Sequence, residues 1–300
     1  MRKSAVRKIR NGSVWFDVFV YVVMFLVAAV TLYPFLNTVV VSLNDGIDTA
    51  RGGLTLCPRK FTLSNYRAVF IDTRIPRAFL ISVARTVLGS ALAAIATGLF
   101  AYPLSRPYFR GRHIYRTLAL ITMYFSGGLI PQYLLYMKIG LLNSFWVYVL
   151  PGMLNVYQML IIRTYFLGIP MEFEESAFVD GAKHLRVFFQ IMLPLSMPVI
   201  AVIILYNAVS QWNSWFNAYI YIRNRRLLPL QSILIEIVNV NKMSELEEMA
   251  SAEIGMAAQQ LTTRSVTAAV MIVTCLPIIC VYPFLQEYFV KGVMIGSVNR

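Results

Sequence analysis

The sequence predicts an all-α polytopic membrane protein with six transmembrane helices, from its apolar composition, its long uncharged runs and the helix-punctuating residues between them. Of 300 residues, 58% are hydrophobic and 14% charged, and the mean hydropathy of +0.64 is far above that of a soluble domain. Such a chain needs lipid as its solvent. A helix rising about 1.5 Å per residue crosses a ~30 Å hydrocarbon core in about 20 residues. Runs of that length fall at 18–43, 78–104, 114–137, 145–167, 195–221 and 265–289.

Residues 1–17 form a basic tail, with five Lys or Arg among the first ten positions. The apolar run that follows is about twice the length of a signal peptide's core and lacks a small-x-small cleavage site, so it reads as an uncleaved span. The tail and the cluster Arg106, Arg110, Arg112 and Arg116 place the N-terminus and the loop after the second run in the cytoplasm. Against that count, Arg51, Arg59, Lys60, Arg67, Arg74 and Arg77 fall on the outer side.

The outer segment 44–77 has turn signals at Arg51-Gly52-Gly53 and Cys57-Pro58, then Ser64 as the cap of a short helix. Arg85 lies ~12 Å inside the second run, where a guanidinium must pair across helices, line a water-filled path or snorkel. In the fourth run Asn155 and Gln158 follow Pro151-Gly152 on one helix face, suited either to a solute path or to an interhelical hydrogen bond.

The connection 168–194 is polar yet rich in apolar side chains. Pro170 suits a first helical turn, and Glu172, Glu174 and Glu175 put negative charge at the positive end of that helix. Gly181 can end it in a left-handed conformation, 182–189 can form a second short helix, and Pro194 can start the next span. The expectation is a helix-turn-helix at the membrane surface, with Ala177, Phe178, Val187, Phe188 and Phe189 buried in a groove of another protein.

In the fifth run, Trp212, Trp215, Phe216 and Tyr219 interleave with Asn213 and Asn217. Such a band can stack on sugar rings while its amides pair with hydroxyls, or it can be an interfacial aromatic belt. The outer segment 222–264 contains Ser244-Glu245-Leu246-Glu247, a pattern that caps and starts a helix. The last run leads into a tail at 290–300.

Absences restrict the energy source. None of the seven lysines sits in a G-x-x-x-x-G-K-[ST] phosphate loop, so ATP hydrolysis is not expected from this chain. The runs carry no Asp or Glu apart from Glu287 at the end of the last, which disfavours a proton- or sodium-driven carrier. No nucleophile, metal cluster or acid/base pair adjoins a span, which disfavours a membrane enzyme acting on lipid-linked sugar, and His113 and His184 read as solvated loop residues. The net charge of +13 is spread over both faces, pointing to anionic lipid headgroups rather than nucleic acid. Cys57, Cys275 and Cys280 form no disulfide framework, the latter two reading as small apolar packing residues.

The spacing Glu175-Ser176-Ala177, Gly181, then Ile191-Met192-Leu193-Pro194 resembles the cytoplasmic "EAA" loop of bacterial ABC importer permeases, with Ser176 for the usual first alanine. The segment Gln211-Trp212-Asn213-Ser214-Trp215-Phe216-Asn217 and the stretch Tyr282-Pro283-Phe284-Leu285-Gln286-Glu287-Tyr288-Phe289-Val290-Lys291-Gly292 are similar to the maltose-type carbohydrate permeases, especially the alginate and rhamnogalacturonan subgroup. The resemblance runs nearly end to end. It implies the type I importer permease fold and import of a carbohydrate, most often an oligosaccharide. It also implies a homologous second permease, two cytoplasmic ATPases holding ATP and Mg, and an extracytoplasmic solute-binding protein facing the outer segments. On this likeness Glu175, Ser176, Ala177, Phe178, Gly181, Phe188, Leu193 and Pro194 couple to the ATPase. Gly296, Ser297 and Val298 keep the pattern of a family tail that reaches between the ATPases, although Asn299 and Arg300 replace its end. The candidate substrate path comprises Arg85, Asn155, Gln158, Trp212, Asn213, Trp215 and Asn217.

Overall fold

A computed structural model of the chain describes residues 14–54, 56–71, 73–250 and 264–280, and among these the regular structure is helical with one isolated antiparallel bridge, Asn44 to Phe61. Contacts divide the chain into two compact units, Met1–Ile71 with Val238–Val273 and Asp72–Ile237 with Thr274–Arg300.

In the first unit, α1 (Val14–Ser42) is apolar and exposed along most of its length. Its end is held by a knot of buried polar groups. Asn65 Nδ2 donates to the carbonyls of Ser42 and Asn44 at 2.9 Å, and Asn44 Nδ2 donates to Asp48 Oδ2 and Thr49 Oγ1 at 3.0 Å. Asp45 caps α2 (Gly46–Ala50), and Arg59 closes the loop onto Asp48 Oδ2 at 2.9 Å. Every amide here has partners, which is what lets Asn44 and Asn65 be buried. Helix α3 (Ser64–Ile71) begins at Ser64 itself, whose amide donates to Thr62 Oγ1, so Ser64 is not the expected cap.

The second unit is built on α4 (Arg74–Ser105), a span of 32 residues. Gly89, Ser90, Ala93, Ala94, Thr97, Gly98 and Ala101 form a buried stripe of small residues along it. Small side chains let helix backbones approach closely where lipid supplies no hydrophobic drive. The core that results joins Ala94, Ala101, Tyr102 and Leu104 to Met159, Ile162, Phe166, Val187, Phe188, Met192, Ile200 and Ile203.

Three expected spans are bent rather than continuous. The 114–137 run becomes α5 (Arg112–Tyr124) and α6 (Leu129–Lys138), bent by 115° at Phe125-Ser126-Gly127-Gly128, where two glycines interrupt the helix. The 145–167 run opens with two 3-10 turns, Phe145–Tyr148 and Leu150–Gly152, and then bends by 48° into α7 (Val156–Leu167). After α8 (Glu172–Val179), α9 (His184–Val187) continues through a π-helical segment, Phe188–Met192, into α10 (Leu193–Leu195). The second short helix thus starts at His184 instead of Ala182 and runs past Phe189. The span itself breaks at Ser196, since α11 (Met197–Asn213) carries Pro198 in its first turn and lies at 86° to the preceding helix. A second break at Ser214 precedes α12 (Phe216–Tyr221). Helix α13 (Leu230–Ala250) passes through Ser244 without a break, so the expected capping box there starts nothing. Helix α14 (Arg264–Cys280) exposes Cys275 and Cys280 instead of packing them.

Among the described residues, two helices are long and apolar enough to cross a membrane unbroken, and up to five if each bent pair counts as one span. The apolar α14 is shorter, and the rest of the sixth run lies outside the described residues.

Candidate functional site

Helix α8 follows the sequence reading closely. Glu172, Glu174 and Glu175 occupy its first turn, and the amides of Glu174 and Glu175 donate to Met171 O at 2.9 and 3.0 Å. At its end Gly181 has φ +81°; its amide donates to Phe178 O at 3.0 Å and that of Ala182 to Ala177 O at 2.9 Å. These two bonds with a left-handed residue between them are a Schellman termination, which satisfies carbonyls the helix leaves free.

The apolar side chains of this region divide differently from the expectation. Val187 and Phe188 are fully buried within the subunit, and Ala177 and Phe178 pack against the same core. Phe188 contacts Tyr102 at 5.8 Å and Phe166 at 6.5 Å between ring centres. Space for its ring comes from Gly98, where a Cβ would stand 3.3 Å from the Phe188 ring. Phe188 therefore packs inside the chain rather than outward as expected. What faces outward is Phe173, Val179, Leu185 and Phe189, with Glu175, Ser176 and Pro194 also exposed and Leu193 half-buried.

The neighbouring Glu174 turns inward and was missed as a functional candidate. Its carboxylate is buried against the Arg106 guanidinium, with side-chain exposures of 0% and 2%. Tyr102 and Tyr108 both donate to Glu174 Oε2 at 3.1 Å. Burial, with the Glu174 carboxylate adding to it, raises the Tyr108 phenol above its ordinary value, so it remains a neutral donor. The sequence carried only a weak hint, an arginine directly after a span and three glutamates in one turn, where helix-dipole logic explained all three equally well.

The second cluster centres on Arg85, inside the 32-residue α4. Arg85 is fully buried: its Nη1 donates to Ser214 O at 2.9 Å, and Nε and Nη2 donate to Gln211 Oε1 at 3.3 and 3.1 Å. Its guanidinium also stands 4.4 Å from the centre of the Tyr148 ring. Interhelical pairing is thus the outcome, not snorkelling. The Ser214 carbonyl belongs to the break after α11, where a helix end presents partial negative charge, so a cation suits that place.

The remaining path candidates separate in the same way. Gln158 is buried in a reciprocal amide pair with Asn207, whose Nδ2 donates to Gln158 Oε1 at 2.8 Å, and Asn155 caps α7 by accepting from the Gln158 amide at 3.0 Å. Trp212 points into the subunit, its Nε1 donating to Thr274 O at 3.0 Å and its ring meeting Phe79 edge-on at 5.9 Å. Arg85, Gln158 and Trp212 are thus buried, each engaged in hydrogen bonds within the chain. Asn155, Asn213 and Trp215 keep exposed surface, with Asn217 half-buried. Trp215 stacks edge-on with Phe216 and Tyr219 at 5.9 and 6.3 Å. Gly296, Ser297 and Val298 lie outside the described residues. Among the described residues no three His, Cys, Asp or Glu side chains gather as metal ligands.

The described residues thus form broken apolar helices packed on a small-residue span, with a capped helix held by a buried ion pair. Residues 10–295 match the family described as binding-protein-dependent transport system inner membrane component, and the chain belongs to that family. It is 36% identical over 286 residues to the polygalacturonan/rhamnogalacturonan transport system permease protein YtcP of Bacillus subtilis (strain 168), covering 95% of this chain and 98% of that protein. The osmoprotective compounds uptake permease protein GgtD of Synechocystis is 28% identical over 304 residues, covering 97% of this chain and 95% of that protein. Among solved structures, a chain of a bacterial ABC transporter involved in import of the acidic polysaccharide alginate matches with a TM-score of 0.82 at 30% identity, over 91% of this chain and 96% of that one. This protein is a transport permease subunit of the inner membrane.

Proposed function

We propose that this chain forms half of the translocation path of an ATP-driven importer for an oligosaccharide, with a homologous permease as the other half. The observation that carries the reading is the surface turn of α8 and α9: α8 ends at Gly181 in the E-x-A-x3-G spacing and displays Phe173 and Val179 beside the exposed Glu175, while Leu185 of α9 and Phe189 of the π-helical segment are exposed after the turn. A helix-turn-helix exposing these apolar side chains fits a groove on a cytoplasmic ATPase, two copies of which would bind ATP and Mg. Six spans with both termini in the cytoplasm, outer segments at 44–77 and 222–264 facing a solute-binding protein, and a tail at 290–300 complete the arrangement. The names of the relatives support a carbohydrate substrate. The exposed Trp215, Asn213, Asn155 and half-buried Asn217 have the mixture of ring faces and amides that sugars require.

Opening toward either side requires two discrete packings of the helices, and the breaks at Phe125–Gly128, Ser196 and Ser214 are natural places for them to differ. The test is uptake of labelled oligogalacturonides into proteoliposomes holding this subunit, the second permease, the ATPases and the binding protein. Uptake that needs both ATP and the binding protein is expected. Uptake driven by a proton or sodium gradient without them would make the chain a secondary carrier instead.

A further inference from the structure

Arg106 is the point at which four pieces of the second unit meet. It follows the last residue of α4, and its Nη1 donates to Phe166 O near the end of α7 at 3.1 Å. Nη2 reaches the Met192 sulfur in the π-helical segment at 3.1 Å and also pairs with the carboxylate of Glu174 in α8. Tyr102, from α4, and Tyr108, from the loop after it, complete the carboxylate's shell on Oε2. The Tyr108 ring lies 5.8 Å from that of His184, which in turn meets Phe178 edge-on at 4.9 Å, so α8 and α9 are bound into the same cluster.

A buried ion pair is a costly way to gain stability, since desolvation consumes most of the attraction. What it does supply is directionality: each group has fixed partners, and loss of one leaves the other charged and unpaired. The surrounding contacts of α8 are apolar and could slide, as Phe178 and Ala177 only pack against the core. The π-helical turn beside the pair is a second local irregularity, of the kind that collects at functional positions.

We infer that Arg106 and Glu174 are positioning residues that join α8 rigidly to the ends of α4 and α7, so that displacement of α8 by a docked ATPase reaches the spans. This rests on the functional reading above. The pair makes α8 a lever, while the exposed face of α8 makes the contact. Without the pair a docked ATPase would move the surface helix against its own core, and hydrolysis would continue with little solute carried.

The experiment compares solute imported per ATP hydrolysed in proteoliposomes, alongside the subunit stoichiometry of the purified complex. Wild type run in parallel tests the functional reading separately, since only a binding-protein-dependent importer gives a ratio at all. Glu174→Gln keeps the side chain's shape but removes its charge; the ratio should fall about tenfold in fully assembled complexes, within the range for a residue that carries coupling between sites. Arg106→Glu combined with Glu174→Arg, which restores a pair with reversed polarity, should recover much of the loss. A wild-type ratio for assembled Glu174→Gln would overturn the inference. If that variant does not assemble because Arg106 is left charged, Arg106→Gln with Glu174→Gln removes both charges and decides: a lowered ratio upholds the joint, and a wild-type ratio reduces the pair to a folding element.

Discussion

Replacing Gly89 by Ala tests whether the Arg85 cluster holds the broken end of α11 in place. A Cβ at this position would stand 2.8 Å from Gln211 Nε2 and 3.0 Å from its Cδ, closer than such atoms approach. Gln211 is flexible and can swing away, but both ends of its amide are engaged. Oε1 accepts from Arg85, and Nε2 donates to Tyr148 O at 2.9 Å. The cost of one methyl group is therefore the loss of these bonds. Hydrogen bonds to charged groups contribute about 1.5–3 kcal/mol in protein interiors, whereas polar contacts between membrane helices average about 0.6 kcal/mol. The Arg85 bonds are long, at 3.3 and 3.1 Å, and share one acceptor, which favours the lower end. A total near 2 kcal/mol is expected, or about 3 °C in the unfolding midpoint. The midpoints of Gly89→Ala, Gln211→Ala and the double variant, followed by tryptophan fluorescence in detergent, form a complete cycle. Because both single changes remove the same bonds, the double variant should lose no more than about either alone. Additive losses, or a Gly89→Ala protein as stable as wild type, would refute the reasoning.

Gly181→Val should lower import at unchanged membrane abundance: φ is +81° and nothing lies within 4 Å of the added Cβ, so the cost is backbone strain of about 1–3 kcal/mol with no steric clash. Gly181→Asn, which tolerates the left-handed region, should retain most activity, and normal uptake by the Val variant would show that the termination of α8 is not needed. Glu175→Lys places a cation in the first turn of α8 on its exposed side and should weaken assembly or coupling; full stoichiometry with solute-stimulated hydrolysis would exclude this helix as the docking element. Deleting 292–300 should reduce hydrolysis or import without loss of insertion, and unchanged rates for both would show that the tail is only a terminus.

The sequence by itself determined the elements whose cause is local. The 29-residue α1 and 32-residue α4 fall close to their apolar runs, and Gly181 ends α8 because only a residue at ease with positive φ fits that turn. Apolar runs, however, mark length and not straightness. The bends at Phe125–Gly128 and Ser196 depend on which backbone groups find partners once helices pack, and Arg85 bonded to Ser214 O is such a case. The inward or outward sense of a side chain was likewise invisible. Phe188 and Phe189 are adjacent and alike, yet one fills the space left by Gly98 while the other stays 45% exposed. Glu174 and Glu175 repeat the lesson with charge, since only the arrival of Arg106, Tyr102 and Tyr108 from distant parts of the chain gives one glutamate a buried partner and leaves its neighbour facing outward. Tertiary packing decides such pairs because burying a charge is tolerable only where its counter-charge is already held in place.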